Sequence, residues 1–315
     1  MLGGPVQIPG VELLEELGHG TYSVVYRARR GGDHYAVKIP LRNETGTKLR
    51  ILGRRFRREA VALARLRHPL LPRIMDVGMA DRAPYMIMEL ATGETLAARL
   101  ARGPMSEVEA VELGRKLADA LAEVHRSGLV HRDVKPRNIL FDAAAGHVRL
   151  VDFGFAASID AAFRILEPVG TLEYAAPEQV SQLRQRVDGR ADLYALGCVL
   201  YECLTGSPPF AELDPRRLLH QHSGLRAPDV REAAPPVSEA MASIIRRLLA
   251  RNPDDRYPDA GALLHDLEHI EDMRAGRPYP SAIIASDLPA TILPLLGRDD
   301  ELRRLRPDTD QRLGA

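Results

Sequence analysis

The chain has 315 residues, and its 43 basic and 43 acidic side chains give it a formal net charge of zero. Its 45% hydrophobic and 27% charged residues are typical of a soluble globular protein, and a neutral chain has no overall field that would attract nucleic acid or an anionic membrane. It contains neither an apolar run of about 20 residues that could span a bilayer nor a signal peptide, so we expect a cytoplasmic protein.

The first 90 residues predict a small lobe with a five-stranded sheet and one helix. Apolar and polar residues alternate between positions 11 and 41 around two glycine-bearing turns, which is typical of three half-buried strands. Phe56, Ala60, Leu63 and Leu66 recur at helical spacing and predict a helix over 49–67. The five strands are predicted at 11–17, 23–29, 34–41, 74–77 and 85–90.

The chain beyond residue 95 is predicted to be mainly helical. Ser106 followed by Glu109 forms a capping box, which predicts a helix that runs to about Arg126. The two cysteines, Cys198 and Cys203, lie in one apolar helical stretch and are expected to be reduced core residues. Further helices are predicted at 191–204, 238–250 and 259–273.

The stretch 129–138, L-V-H-R-D-V-K-P-R-N, carries the residue types that phosphoryl transfer needs. Asp133 can accept the proton of an attacking hydroxyl, Lys135 can neutralise charge on the moving phosphoryl group, and Asn138 can help to hold magnesium. An H-R-D triplet alone is weak evidence, because charged loops are common. The full pattern H-R-D-x-K-x-x-N is much more specific, and it predicts a catalytic loop.

A glycine-bearing loop and a strand lysine predict a phosphate-binding site earlier in the chain. Gly18 and Gly20 would let backbone amides approach phosphate oxygens without an intervening Cβ. Lys38 follows on the third predicted strand, and Glu59 lies on the next helix, where a carboxylate can hold the lysine in place. The glycine pair alone is weak evidence, and Glu59 alone could be an ordinary surface residue. The spacing of the three features favours the phosphate site.

Residues after the catalytic loop predict a second metal ligand and a bracing ion pair. Asp152 lies in the sequence V-D-F-G, after an apolar strand predicted at 148–151, and is expected to bind magnesium. Glu178 in the sequence A-A-P-E is expected to pair with Arg256. Asp192 opens the buried helix, and a plain buried or capped ion pair is the alternative for Asp192 and Arg256.

In order and identity these motifs resemble those of the eukaryotic-like Ser/Thr protein kinases found in bacteria. The resemblance covers residues 11–272 and implies an α+β, bilobal fold. The N-lobe (11–90) would be small and β-rich with one main helix, and the C-lobe (91–272) would be larger and mostly helical. The matching segments are G-H-G-T-Y-S-V-V, A-V-K, Glu59, H-R-D-V-K-P-R-N, D-F-G, G-T-L-E-Y-A-A-P-E, D-L-Y-A-L-G and Arg256. One departure is Ser23, where the third glycine of the loop usually stands, and the family tolerates it.

The resemblance implies transfer of the γ-phosphate of ATP to serine or threonine of protein substrates, with Mg²⁺ or, in its place, Mn²⁺. Lys135 and Thr171 are the features that separate Ser/Thr kinases from tyrosine kinases. The implied catalytic residues are Asp133, Lys135, Lys38, Glu59 and Thr171, and the implied metal ligands are Asn138 and Asp152. The implied nucleotide-binding residues are Leu17, Gly18, Gly20, Val25, Ala36, Lys38, Met88 (the gatekeeper), Glu89, Ala91 and Leu140. A stacked column that aligns the lobes would contain Leu63, His131 and Phe153.

The segment after the D-F-G motif carries a carboxylate where many relatives carry a regulatory phosphothreonine. That position, four residues before Thr171, is Glu167. A carboxylate bears one charge where a phosphate bears nearly two. We hypothesise that Glu167 pairs with Arg132, with Arg55 placed to contribute, and so orders the segment without phosphorylation. The alternative is a solvated loop glutamate, and Ser158 is the more accessible candidate if phosphorylation matters.

Residues 1–10 and 273–315 are predicted to lie outside the kinase domain. The stretch 295–305, L-L-G-R-D-D-E-L-R-R-L, resembles the opening segment of signalling ATPase domains of the AAA/STAND type, which follow the kinase in some large bacterial proteins. No P-loop pattern follows it. We therefore expect either a fragment of a larger regulator or the product of a shortened gene, and we expect any regulatory domain or partner to follow residue 273. An amphipathic tail helix that packs on the kinase is the alternative.

Two other functions compete with an active protein kinase. A pseudokinase scaffold would bind nucleotide without turning it over, but Lys38, Asp133, Asn138 and Asp152 are all present and argue against it. A small-molecule kinase of similar fold is disfavoured by the complete peptide-docking segment 170–178.

Overall fold

The computed structural model of the chain describes residues 6–19, 23–41, 56, 60, 63–64, 66–80, 83–142, 146–153, 157–158, 172–180, 187–212 and 214–278. These residues form an N-lobe built on a sheet and a C-lobe built mainly of helices. The predicted α+β, bilobal fold is therefore confirmed.

The N-lobe sheet is antiparallel and has the strand order β1-β2-β3-β5-β4. Its strands are β1 (Glu12–His19), β2 (Ser23–Arg30), β3 (Asp33–Pro40), β4 (Ile74–Ala80) and β5 (Ala83–Glu89). All five predicted strands are present, but β4 continues past its predicted end at residue 77. In this continuation Gly78 lies against Tyr85 of β5, and a Cβ at Gly78 would lie 2.3 Å from the Tyr85 hydroxyl oxygen and require that ring to move.

The outer face of the sheet is covered by the residues that precede β1. Val6 and Ile8 are buried in one apolar cluster with Val24, Val37 and Ile87. This part of the predicted N-terminal tail therefore packs on the N-lobe.

The inner face of the sheet is continuous with the core of the C-lobe. Met86 of β5 belongs to the large apolar cluster that fills the C-lobe. Four described residues of the helix predicted over 49–67 join the same cluster and are buried: Phe56, Ala60, Leu63 and Leu66. Arg55 and Glu59, from the same predicted helix, lie outside the described residues.

The C-lobe contains the remaining strands and helices of the described residues. Its strands are β6 (Glu94–Thr95), β7 (Leu129–Val130), β8 (Ile139–Asp142), β9 (His147–Leu150) and β10 (Ala157–Ser158). Its helices are α1 (Leu96–Leu100), α2 (Glu107–Arg126), α3 (Pro177–Val180), α4 (Gly189–Thr205), α5 (Pro215–Gly224), α6 (Val230–Ala233), α7 (Glu239–Leu248), α8 (Ala260–Glu268) and α9 (Ile270–Arg274). No helix in the described part of the chain is long and apolar enough to cross a membrane.

Helix α4 is the buried axis of the C-lobe. Asp188 caps its first turn by accepting a hydrogen bond from the Arg190 amide, and Gly206 ends it with a left-handed φ of 83° that favours glycine. Cys198 and Cys203 are both buried and free, as the sequence predicted. Burial raises the pKa of each thiol, so neither is a reactive thiolate.

The helix predicted over 259–273 is in fact two helices, α8 and α9, separated at His269. Arg115 of α2 explains the break, because its guanidinium donates to the carbonyl oxygens of Leu267 (2.8 and 2.9 Å) and Glu268 (3.3 Å). These carbonyls are the last ones of α8, and a cation that satisfies them stabilises a helix end at that point.

A buried histidine joins α5 to α4. His222 is fully buried, its Nδ1 lies 2.9 Å from the Tyr194 hydroxyl, and its ring packs against Phe210 at 5.0 Å between centroids. Burial lowers the pKa of His222 from 6.5 to about 4. Between these two values the unfolded chain binds the proton more readily than the folded protein. The neutral imidazole therefore contributes its full stability above about pH 6.5, and that contribution is lost as the pH falls toward 4.

We predict that His222→Gln weakens the acid dependence of stability. Lowering the pH from 7 to 5 should cost the wild type about 2 kcal/mol more unfolding free energy than the variant, because only the wild type must keep this histidine neutral. Urea unfolding at the two pH values measures the difference. His220→Gln removes an exposed histidine from the same helix and serves as the control. Equal acid dependence in wild type and His222→Gln would contradict the prediction.

Candidate active site

A buried carboxylate on α4 holds the backbone of the predicted catalytic loop. Asp192 accepts hydrogen bonds from the backbone amides of His131 (2.8 Å) and Arg132 (2.7 Å), and its Oδ2 also lies 2.8 Å from His125 Nε2. Burial alone would raise the pKa of Asp192, but His125 and these amides outweigh it and hold the pKa below its ordinary value. The carboxylate is therefore charged, and it fixes the loop to the centre of the C-lobe.

Two residues of the site adopt left-handed backbone conformations. Arg132 has a φ of 67° and Asp152 a φ of 62°, which is uncommon for residues with a side chain. Such a conformation costs roughly 1–2 kcal/mol and persists only where the surroundings impose it. For Arg132, the hydrogen bond from its amide to Asp192 is one such constraint.

The side chain of Asp133 lies at the centre of the loop and is oriented by two neighbours. Its Oδ2 receives a hydrogen bond from Asn138 Nδ2 (2.7 Å) and lies 2.8 Å from Lys135 Nζ. Its Oδ1 is buried and has no hydrogen-bond partner among the described residues. Burial raises the pKa of the Asp133 carboxyl to about 6, although Lys135 acts against this shift. The group is thus ionised at pH 7 and has one oxygen available to accept a proton.

The predicted phosphate-binding lysine meets the predicted metal ligand. Lys38 Nζ lies 2.9 Å from Asp152 Oδ1, although 114 residues separate the two in sequence. The lysine side chain is only 3% exposed, whereas that of Asp152 is 34% exposed. The carboxylate of Asp152 is therefore partly exposed where β3 of the N-lobe meets the C-lobe, at the junction called the cleft.

The residues predicted to contact adenine share one face of the sheet. Val25 pairs with Lys38 across β2 and β3, and Ala36 pairs with Met88 across β3 and β5, so all four side chains point to the same side. Leu140 lies on β8 of the C-lobe sheet. The predicted adenine residues thus come from both lobes, with Val25, Ala36 and Met88 on the N-lobe sheet and Leu140 on β8.

In the segment after Met88, one backbone amide is already hydrogen-bonded within the protein. The Glu89 amide donates to the Arg73 carbonyl (2.8 Å), so Glu89 can offer adenine only its carbonyl oxygen. The Glu89 carboxylate is engaged by Arg149 at 2.9 Å. Ala91 follows in the half-buried connection to the C-lobe.

The glycine loop is described up to residue 19. Leu17 is 48% exposed, and a Cβ added at Gly18 would meet no atom of the described residues within 4 Å. The described part of the N-lobe therefore leaves room for a side chain at position 18. Gly20 lies outside the described residues.

The donor set at the cleft fits a hard divalent cation. Asn138 uses its amide nitrogen for both of its hydrogen bonds to Asp133, which leaves its amide oxygen as an acceptor. Asp152 lies nearby, because the amide of the preceding residue, Val151, donates to the Asn138 carbonyl (2.9 Å). An amide oxygen and a carboxylate are ligands of the kind that Mg²⁺ prefers.

The end of the predicted docking segment is fixed by a buried ion pair. Arg256 donates to both oxygens of Glu178 at 2.7 and 2.8 Å, and neither side chain is exposed by more than 2%. Arg256 also donates to the carbonyl oxygens of Ala250, Arg190 and Arg251. Every charge of the pair is thus hydrogen-bonded, which is the condition for a buried pair to be stable.

Two aromatic rings of the predicted stacked column are in contact. The His131 and Phe153 rings lie 4.4 Å apart between centroids. Leu63 is buried in the same apolar cluster as Phe153. Of the residues predicted to be regulatory, Arg132 is half-buried, only the backbone of Ser158 is described, and Glu167 lies outside the described residues. Thr171, predicted to be catalytic, also lies outside them.

Two residues that touch this site have no counterpart among the sequence-based predictions. His125, at the end of α2, contacts Asp192, and Gln179 contacts the Arg132 carbonyl oxygen. A polar residue at the end of an amphipathic helix and a glutamine directly after A-P-E were visible in the sequence. Their partners lie 67 and 47 residues away, so neither contact follows from a local pattern.

The site can be compared with known proteins. The protein kinase domain family matches residues 11–267. Serine/threonine-protein kinase PknE of Mycobacterium tuberculosis is 38% identical over 250 residues, which is 78% of this chain and 44% of PknE. PknB of the same organism is 35% identical over 298 residues (90% and 46%), and PknB of Mycobacterium leprae is 34% identical over 291 residues (88% and 45%). The chain spans less than half the length of these relatives.

We predict that Arg256→Met lowers the unfolding free energy by about 3–5 kcal/mol, because it leaves the Glu178 carboxylate buried without a cation. The double variant Arg256→Met/Glu178→Leu should be more stable than Arg256→Met, since no lone charge remains. Urea unfolding of both proteins provides the measurement, and Arg251→Met, which removes an exposed arginine of the same loop, is the control. A double variant no more stable than the single one would contradict this account of the pair.

Proposed function

Because the chain belongs to the protein kinase family, we propose that it transfers the γ-phosphoryl group of ATP to serine and threonine hydroxyls of protein substrates. The main support for the proposal is the environment of the Asp133 carboxylate. It is buried, its Oδ2 is held by Asn138 and Lys135, and its Oδ1 has no partner among the described residues. A general base needs a fixed position and an available acceptor oxygen.

In the proposed reaction, the substrate hydroxyl oxygen forms a bond to the γ-phosphorus while the bond to the bridging oxygen of ADP breaks. The hydroxyl proton passes to Oδ1 of Asp133. A pKa near 6 makes Asp133 a stronger base than an ordinary aspartate while leaving it ionised at neutral pH. Lys135, 2.8 Å from Asp133, places a cation beside the proposed acceptor site.

The nucleotide and metal are assigned to the residues on the other side of the cleft. Lys38 would contact phosphate oxygens, and Asn138 and Asp152 would hold Mg²⁺, for which Mn²⁺ could substitute. The ion supplies positive charge that offsets the charge of the phosphates. Catalysis would then consist mainly of positioning and of electrostatic stabilisation of an in-line transfer.

The choice of protein Ser/Thr substrates rests on two features. Lys135 lies two residues after Asp133, as in Ser/Thr kinases, and PknE and PknB carry the name serine/threonine-protein kinase. Thr171 and Glu59 keep their proposed roles in catalysis on the family resemblance alone. We propose a kinase domain at 11–272, and α9, whose Arg274 binds Glu107 of α2, extends two residues beyond that end.

We predict that Asp133→Asn lowers kcat for phosphorylation of a generic protein substrate by about 10²–10⁴-fold, since the proton acceptor is lost. Nucleotide affinity should change little, because Lys38 and Asp152 remain. Radiolabelled ATP with purified protein measures the transfer, and Asp33→Asn, an exposed carboxylate at the start of β3, is the control. A wild type that binds ATP but transfers no more label than Asp133→Asn would favour the pseudokinase alternative. Label found only on small molecules would favour a small-molecule kinase.

We further propose that Glu167 takes the place of a regulatory phosphate through Arg132. The support is the environment of Arg132, whose half-buried guanidinium has a pKa lowered by burial. A guanidinium in such a position is stabilised by a nearby anion. Arg55 would reinforce the contact, and Ser158 is the alternative phosphorylation site.

We predict that Glu167→Gln lowers kcat of the unphosphorylated enzyme about tenfold, because a charge-assisted contact is replaced by a neutral one. Enzyme produced with a phosphatase and checked by mass spectrometry provides the unphosphorylated state. The same substitution in an Arg132→Met background should have no further effect if the two residues act together. Unchanged turnover of Glu167→Gln would leave Glu167 as a solvated glutamate of the segment.

A further inference from the structure

The side chain of Gln179 connects the docking segment to the catalytic loop. Its Oε1 accepts a hydrogen bond from the Ala176 amide (2.9 Å), and its Nε2 donates to the Arg132 carbonyl oxygen (3.3 Å). One partner can only donate and the other can only accept, so together they determine the orientation of the side-chain amide. Gln179 lies on α3, directly after Glu178 of the buried ion pair.

The carbonyl that Gln179 contacts belongs to the peptide unit that immediately precedes the proposed base. The amide of this unit is that of Asp133, which donates to His131 Nδ1 (3.3 Å). Gln179 and His131 therefore hold the two ends of one peptide plane. The unit follows Arg132, whose left-handed φ of 67° needs external contacts to persist.

The contacts that hold this part of the loop come from two different helices, α4 and α3. Asp192, which binds the amides of His131 and Arg132, lies on α4. Gln179 lies on the segment that precedes α4 and ends the docking region. Its backbone position is set by the neighbouring Glu178, whose carboxylate is fixed by Arg256. A rigidly anchored glutamine thus transmits the position of the docking segment to the peptide that carries Asp133.

We propose that Gln179 is a positioning residue that couples the protein-docking segment to the catalytic base. The inference rests on the proposed kinase function and deepens it. Gln179 touches neither substrate nor nucleotide in this account, and it acts through the Arg132–Asp133 peptide. Its loss should misplace Asp133 relative to the acceptor hydroxyl while leaving the nucleotide side of the cleft intact.

Two substitutions separate the two hydrogen bonds. Gln179→Met keeps the length of the side chain and removes both bonds, whereas Gln179→Glu keeps an acceptor for Ala176 but has no donor for Arg132. Both variants should lower kcat for protein phosphorylation about 5- to 10-fold, with KM for ATP and the melting temperature unchanged. Lys116→Met is the matched control, because it also removes a side-chain donor to a backbone carbonyl, that of Gly146 (2.8 Å), far from the site.

A second measurement does not depend on activity. Hydrogen exchange of the backbone amides in residues 131–135 should be faster in both Gln179 variants than in wild type, whereas exchange in α2 should be unchanged. If wild type transfers no phosphate, the proposed kinase function fails, and the exchange data still test the contact. The inference is overturned if both variants keep wild-type kcat and exchange. It is also overturned if kcat, KM for ATP and melting temperature change together, which would indicate a general structural role.

Discussion

The buried carboxylate of Asp192 is the constraint on which the rest of the site depends. A lone charge in the core of a protein is strongly unfavourable, and here three donors from His125, His131 and Arg132 offset that cost. The carboxylate and the loop stabilise each other. The charge needs the loop amides to remain stable in the core, and the loop needs the charge to hold Arg132 in its left-handed conformation. Helix α4, through Asp192, therefore helps to fix the position of the proposed base, which the loop alone would not do.

The first turn of α4 also supports the other half of the site. Arg256, which holds Glu178, donates to the carbonyl oxygen of Arg190 on that turn. Arg190 in turn pairs with the capping residue Asp188 (2.9 Å) and with Asp254 (2.6 Å). Two charge networks thus meet within one helical turn, and one of them holds the proposed catalytic loop while the other holds the proposed docking segment. A shift of this turn would move both parts together, which keeps the base and the substrate-docking surface in register.

The parts of this arrangement that were predictable from sequence are those with short spacing or a motif. Asp133 and Lys135 fall in one loop, and the strands and α2 follow from alternation and from a capping box. The pairing of Lys38 with Asp152 spans 114 residues and was not predicted, because the sequence analysis paired this lysine with Glu59. The break between α8 and α9 could not be predicted, because the cation that stabilises it, Arg115, lies about 150 residues earlier. Periodicity records which residues are buried and does not record which distant side chain ends a helix.

The same distinction between backbone and side chain bears on regulation through Arg132. The backbone of this residue is held from both sides, at its amide by Asp192 and at its carbonyl by Gln179. Its guanidinium is half-buried, and burial lowers its pKa. An additional anion would therefore stabilise the charge of the side chain, whereas the backbone is already held. An anion supplied by Glu167 or by a phosphate would therefore change little in the position of Asp133. It would instead stabilise the segment that carries the anion, because that segment gains a charge-assisted contact to a residue already fixed in place. Under the proposed function, a switch of this kind would therefore act on the segment that contains Glu167 more than on the backbone of Asp133.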